Sequence, residues 1–257
     1  MSSILQVEGG HPLRGEITVR GAKNFVPKAM VASLLADTPS ELYNVPLIRD
    51  TDVVSDLLRL HGVQIDFDQD RGTLRMDPSN VKIASRSDID TLAGASRIPI
   101  LFCGPLLHQL GEAFIPELGG CAIGGRPIDF HLETLRKFGA IVDKQPDGVH
   151  IKRPASGLHG AIIELPFPSV GATEQTLLTA VRNEGITTLK GAAIEPEILD
   201  LINVLQKMGA IISVDTDRTI RIEGVAKLAG YRHTALPDRI EAASWAAAAL
   251  ATRGAIY

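Results

Sequence analysis

Three stretches of this chain repeat one another, and that repetition restricts the fold more than any other feature. They are "LLRLHGVQIDFDQDRGTLRM" from Leu57, "TLRKFGAIVDKQPDGVHIKR" from Thr134 and "VLQKMGAIISVDTDRTIRIE" from Val204. Each reads as the end of a helix, a glycine cap at Gly62, Gly139 or Gly209, and then alternating apolar residues broken by a turn-forming "DQDRG", "QPDG" or "DTDR". A helix stopped by a left-handed glycine and followed by period-2 alternation predicts a helix running into a β-hairpin. The front of the unit recurs as well, in "GEITVRGAKNFVPKAMVASLLADTPSELYNVP" from Gly15 and "GAIIELPFPSVGATEQTLLTAVRNEGITTLKGAA" from Gly160. Both read as strand, glycine loop, apolar helix and strand. A middle version from Ala95, "ASRIPILFCGPLLHQLGEAFIPELGG", keeps the helix and the following strand. The repeating unit is therefore β-α-β-α-β-β, and the fold class is α/β (α+β).

A fourth copy opens at Gly230 with "GYRHTALPDRIEAASWAAAALATRGAIY" and reaches the strand after its first helix. Half a unit leaves an apolar helix face and a sheet edge without neighbours, so the expectation is an N-terminal, truncated portion of a longer repeat protein. The alternative is a capping half-repeat, although capping units turn polar outward and "WAAAALA" does not.

With 257 residues, 45% of them hydrophobic, the chain can bury a large core. A net charge of −4 argues against a nucleic-acid partner and requires any anionic ligand to be held by a local cation cluster. Cys103 and Cys121 form no disulfide framework and lack the spaced companions of a zinc site, so neither metal nor cofactor is expected. The N-terminus lacks the features of a signal peptide, and no apolar run reaches the ~18 residues of a membrane span. A soluble chain in the reducing cytoplasm is expected, with no membrane partner. The oligomeric state is not legible.

The two thiols occupy opposite settings. Cys103 lies in "IPILFCGPLL", an apolar helix, and reads as core. Cys121 lies in "ELGGCAIGGRPIDFH", among glycines and five residues before Arg126, where a helix begins at Pro127. A thiol near an arginine and a helix N-terminus can ionise more readily and lie beside a bound anion, which makes Cys121 the candidate catalytic residue. Arg126 offers a planar fork for phosphate. Lys23 and Asn24, after Gly21 and Ala22, sit where backbone amides and an ammonium can converge on phosphate or carboxylate, although a lone lysine there is ordinarily a solvated loop charge. Asp129 suits either a hydrogen-bond acceptor or a plain first-turn helix acid. Glu195 and Glu197 in "EPE" flank a helix start and are as well explained by capping as by a site role.

These motifs, in this order, resemble the enolpyruvyl transferase family, and within it the UDP-N-acetylglucosamine 1-carboxyvinyltransferases. "GGCAIGGRPIDFH" resembles their reactive-cysteine loop, "RGAKN" their N-terminal lysine-asparagine motif, and "SVGAT", "EPEILD" and "LPDRIE" later signatures, from about Val7 to the last residue. The resemblance implies an inside-out α/β barrel of two similar domains, helices inside and sheets outside. Residues 21–236 would form a complete three-repeat domain carrying the cysteine loop. Residues 1–20 and 237–257 would belong to the second, discontinuous domain.

The resemblance also implies substrates: the enolpyruvyl group of phosphoenolpyruvate passes to the 3-hydroxyl of UDP-N-acetylglucosamine with release of phosphate, the first committed step of peptidoglycan synthesis. Cys121 would be general acid toward the enolpyruvyl methylene and able to form an adduct with phosphoenolpyruvate. Lys23, Asn24 and Arg126 would bind phosphoenolpyruvate. Arg97, Arg126, Pro127, Ile128, Asp129, Phe130, Ser169, Val170 and Gly171 would bind the nucleotide sugar. The family's general-base aspartate and closing arginines belong to its second domain and are not expected within these residues. Two positions depart from the family pattern, Phe167 and Ile194, where members commonly carry basic residues. They leave room for a non-catalytic or degenerate nucleotide-sugar-binding paralogue. A 5-enolpyruvylshikimate-3-phosphate synthase-like enzyme fits less well, since "GAKN" stands where that enzyme has a "GDKS"-like stretch and the cysteine loop is extra.

Overall fold

The computed structural model of the chain describes residues 4, 6–93, 96–116 and 128–257. The first unit comprises α1 (Val26–Ala32), β2 (Ser40–Tyr43), α2 (Arg49–Leu60), β3 (Gln64–Asp68) and β4 (Thr73–Asp77), after a short β1 (Arg14–Gly15). Next come α3 (Arg86–Ala93) and the second unit: α4 (Cys103–Gln109), β5 (Glu112–Ile115), α5 (Asp129–Lys137), β6 (Ile141–Gln145) and β7 (Gly148–Lys152). The third unit is β8 (Ile162–Glu164), α6 (Val170–Ala180), β9 (Ile186–Lys190), α7 (Pro196–Lys207), β10 (Ile211–Val214) and β11 (Ile220–Glu223). The chain continues through β12 (Arg232–Thr234), α8 (Arg239–Ala251) and β13 (Ala255–Ile256).

The expected hairpins are present as β3/β4, β6/β7 and β10/β11, all antiparallel. Gly62, Gly139 and Gly209 precede them with φ of +85°, +93° and +107°, a backbone that non-glycine residues resist. Each unit has its own sheet, in the orders β12-β2-β4-β3, β5-β7-β6 and β8-β9-β11-β10. No hydrogen-bonded ladder joins one sheet to the next, so the described residues close no continuous barrel.

One expectation is corrected here. The opening strand read over the residues after Gly15 is confined to Arg14–Gly15 and pairs in parallel with β13, outside the first unit's sheet. That sheet takes its parallel outer strand from β12, which follows the third unit, with Arg232 opposite Glu41 and Thr234 opposite Tyr43. Strand alternation alone does not reveal which copy of a strand fills a sheet edge when two copies have the same pattern.

The helices divide by burial. Every residue of α1 is buried, as are residues 172–180 of α6, so neither helix has a solvent face. The others lie across them with one apolar stripe: Val54, Leu57 and Leu58 on α2, and Ile198, Leu201, Ile202 and Leu205 on α7, spaced as a single helix face requires. Phe25, Met30, Leu34, Leu107 and Phe138 are among the largest fully buried side chains. Helices inside and sheets outside therefore follow from which helices are apolar all round. In contrast, α8 buries none of its residues, and Leu250 is 82% exposed.

Candidate active site

The loop between Gly21 and α1 is held by the segment that leads into α8. Gly21 bridges to Pro237, the Ala22 amide donates to the Leu236 carbonyl at 2.9 Å, and the Lys23 amide donates to Asp238 Oδ2 at 2.9 Å. Asp238 uses its other oxygen, Oδ1, to cap α8, accepting from the amides of Ile240 (2.8 Å) and Glu241 (3.1 Å). Burial works to raise its pKa, but the three amides outweigh it and hold the carboxyl below its ordinary value. The Lys23 side chain points to Asp50, with Nζ 3.3 Å from Oδ2. Asn24 is exposed, and its carbonyl accepts from Lys28 Nζ at 2.8 Å.

From Asp50 the network leads to the second cation. Ser96 Oγ donates to Asp50 Oδ1 at 3.2 Å and accepts from the Ile98 amide at 3.2 Å, which fixes the turn containing Arg97. Arg97 precedes a 3-10 turn, Ile98–Phe102, that runs into α4, and its charge lies close enough to depress the basicity of His131. His131 is half-buried, and desolvation is the main cause that takes its pKa down to about 4; a hydrogen bond with Gln175 at 3.4 Å opposes the shift.

His131 faces the N-terminus of α6, so the starts of α5 and α6 meet. A Cβ on Gly171 would lie 2.8 Å from His131 Nε2, so only glycine fits unless the ring moves. Ser169 caps α6, its Oγ accepting from the Ala172 amide at 3.3 Å. Val170 and Gly171 form the first turn. Ile128 and Phe130 are half-buried, and Asp129 is exposed in the first turn of α5. Phe130 and Phe167 meet edge to face, with centroids 5.3 Å apart.

Lys23 is thus tied through Asp50 to the turn that holds Arg97, Gly171 abuts His131 and Phe130 meets Phe167, while Asn24, Ile128, Asp129, Ser169 and Val170 adjoin these residues in the sequence. Cys121, Arg126 and Pro127 lie outside the described residues; the helix read as starting at Pro127 is described from Asp129. Cys103 is fully buried, and burial pushes its thiol well up.

The "EPE" motif does not cap its helix by side chain. Glu197 instead makes a two-pronged pair with Arg239, at 2.9 and 3.2 Å. Glu195 Oε2 is buried with no hydrogen-bond partner. Sequence reasoning missed Asp50, His131, Asp238 and Arg239. Asp238 carried a readable signal, an aspartate after "LP" at a helix start, three residues before Glu241.

A lysine, an arginine and two helix N-termini supply cationic and amide donors of the kind that suit a ligand with several anionic groups. Residues 7–257 match the sequence profile of the EPSP synthase (3-phosphoshikimate 1-carboxyvinyltransferase) family, and the chain belongs to that family of enzymes. Among curated proteins it is 43% identical to the UDP-N-acetylglucosamine 1-carboxyvinyltransferase of Protochlamydia amoebophila, over 99% of this chain and 55% of that one. It is 45% identical to the protein of the same name from Acidiphilium cryptum, over 98% of this chain and 59% of that one. The chain spans little more than half the length of these relatives. Its fold superposes on the enolpyruvyl transferase NikO from Streptomyces tendae with a TM-score of 0.82 at 25% identity, over 92% of this chain and 55% of that one. An EPSP synthase from Acinetobacter baumannii gives 0.73 at 20% identity, over 91% and 52%, a likeness of fold alone. No described helix is long and apolar enough to cross a membrane.

Proposed function

We propose that these residues form the thiol-bearing part of an enolpyruvyl transferase that moves the enolpyruvyl group of phosphoenolpyruvate to the 3-hydroxyl of UDP-N-acetylglucosamine, in cytoplasmic peptidoglycan synthesis. The observation that supports the reading is the path from Lys23 through Asp50 and Ser96 to the turn that holds Arg97, whose charge is felt at His131 beside Gly171, so that the donor loop and the nucleotide loops belong to one site in this reading. The relatives' names favour the sugar nucleotide over a shikimate acceptor.

In this reading Lys23 and Arg126 bind phosphoenolpyruvate and Asn24 orients it. The Cys121 thiol donates a proton to C3 of the enol, so C2 becomes electrophilic and the sugar oxygen bonds to it, passing its own proton to a base. The tetrahedral adduct then loses a proton from C3 and phosphate from C2, which regenerates the enol ether double bond. Arg97, the Arg126–Phe130 stretch and the Ser169–Gly171 turn hold the nucleotide sugar. Residues 21–236 are the domain that supplies these groups. Residues 1–20 and 237–257 are segments of a second one, a division supported by the pairing of β1 with β13 alone and by the unburied α8.

Phe167, 55% exposed against Phe130, favours a second reading as a nucleotide-sugar-binding paralogue without turnover, because an apolar ring stands where a cation would meet diphosphate. Phosphate release from phosphoenolpyruvate and UDP-N-acetylglucosamine separates the two. It is measured on the 257-residue chain and on the longest reading frame containing it. Cys121-dependent turnover by the longer form, with at most weak binding by the 257 residues, is expected. A longer form that binds the nucleotide sugar and never releases phosphate overturns the transferase reading.

A further inference from the structure

Among the described residues Lys28 is the one lysine or arginine that is buried. Its side chain is 10% exposed, in a helix whose other residues are all buried, and nothing in the reaction above uses it. Its ammonium has two partners, the Asn24 carbonyl at 2.8 Å and Glu174 Oε1 at 3.5 Å. Glu174 is 5% exposed and sits on α6. Asn24 ends the "RGAKN" loop one turn before Lys28, and Ser169–Gly171 open α6 about one turn before Glu174. The pair therefore ties the back of the donor loop to the back of the nucleotide loop through two buried side chains.

Packing does not explain it. A buried ion pair loses the hydration of both ions, and apolar side chains of similar size stabilise such a site as well or better. What a paired charge adds is fixed geometry, because neither ion can leave the other without stranding a charge in the interior. Burial pushes the Glu174 carboxyl up, Lys28 draws it back, and the charges of Glu195 and Glu197 push it up again. Glu197 is itself held by Arg239, next to the Asp238 that holds the Lys23 amide. Lys28 thus holds Glu174 on α6 and the Asn24 carbonyl at the same time.

We propose that the Lys28–Glu174 pair couples the two halves of the site, so that a nucleotide sugar bound at Ser169–Gly171 tightens the binding of the enolpyruvyl donor at Lys23–Asn24. Both are positioning residues, and the inference rests on the functional reading above. The measurement is calorimetric binding of phosphoenolpyruvate with and without saturating UDP-N-acetylglucosamine, and the reciprocal titration. The protein is the longest reading frame containing these residues, unaltered and as Lys28→Met, Glu174→Gln and the double Lys28→Met/Glu174→Met. The double variant removes both charges together and leaves none stranded.

In the unaltered protein each ligand should tighten the other by the same factor, roughly 5- to 150-fold. In the variants that factor should fall below roughly twofold, while nucleotide binding alone changes little. An unchanged factor in a folded variant overturns the coupling, as does independent binding in the unaltered protein. Failure of the unaltered protein to bind either ligand is a different result, which defeats the functional reading and the coupling with it.

Discussion

Replacing Asp238 by asparagine should release Lys23 and leave α8 capped. The carboxylate divides its work between two oxygens, Oδ1 for the helix amides of Ile240 and Glu241 and Oδ2 for the Lys23 amide at 2.9 Å. Asparagine caps a helix as well as aspartate, but it has one oxygen, and its amide nitrogen cannot accept a hydrogen bond. It therefore keeps the cap and loses the Lys23 bond; alanine loses both. A hydrogen bond to a charged acceptor contributes about 1.5–3 kcal/mol, and this exposed one belongs at the low end. That corresponds to roughly tenfold faster exchange at the Lys23 amide, since 1.4 kcal/mol is a factor of about 10. Hydrogen exchange followed by NMR reads the two effects separately. Asp238→Asn should speed Lys23 about tenfold and spare Ile240 and Glu241, whereas Asp238→Ala should speed all three. An unchanged Lys23 amide in Asp238→Asn would refute the division of labour and with it the claim that this carboxylate supports the loop after Gly21.

Two further outcomes are expected. N-ethylmaleimide at neutral pH should label Cys121 and leave Cys103 untouched until denaturant is added, because burial keeps the Cys103 thiol protonated; peptide mass mapping reads it, and faster labelling of Cys103 in the folded chain reverses the assignment. Burial lowers His108 and His131 from 6.5 to about 4, so between those values the unfolded chain binds more protons than the folded one and stability falls as pH drops. Each group is worth up to roughly 3 kcal/mol at the acid end, and denaturant titrations from pH 7 to 4.5 should show a shallower slope in His131→Gln. A pH-independent midpoint would contradict the desolvated, neutral state. Asp238 acts in the same direction but at lower pH, since its stabilisation is lost only as pH falls through a carboxyl value below the ordinary 3.8.

Much of the fold was legible because local signals repeat. A left-handed glycine after an amphipathic helix has one common continuation, and three copies in register exclude coincidence. The partner of each sheet edge was not legible. β12 and the stretch after Gly15 have similar alternation, and the choice between them depends on where the chain returns, which is a property of the closed structure. For the candidate site, motifs marked residues such as Lys23 and Gly171 and missed the residues that hold them. Lys28 illustrates why. In "FVPKAMVASLL" it is a single cation in an apolar run, a pattern that also describes a lysine extending to solvent from the end of a buried helix. What distinguishes the two is whether an acceptor waits inside, and that acceptor, Glu174, lies far along the chain in another repeat. The same holds for His131 against Gly171 and for Glu197 with Arg239: in each, one partner lies in another unit and drew no attention in its own context. A repeat fold favours such pairs, because stacking similar units brings equivalent helix starts together from distant stretches of sequence. A lone charge in an otherwise apolar helix of any unit is therefore the feature to check first against the facing helices of the other units.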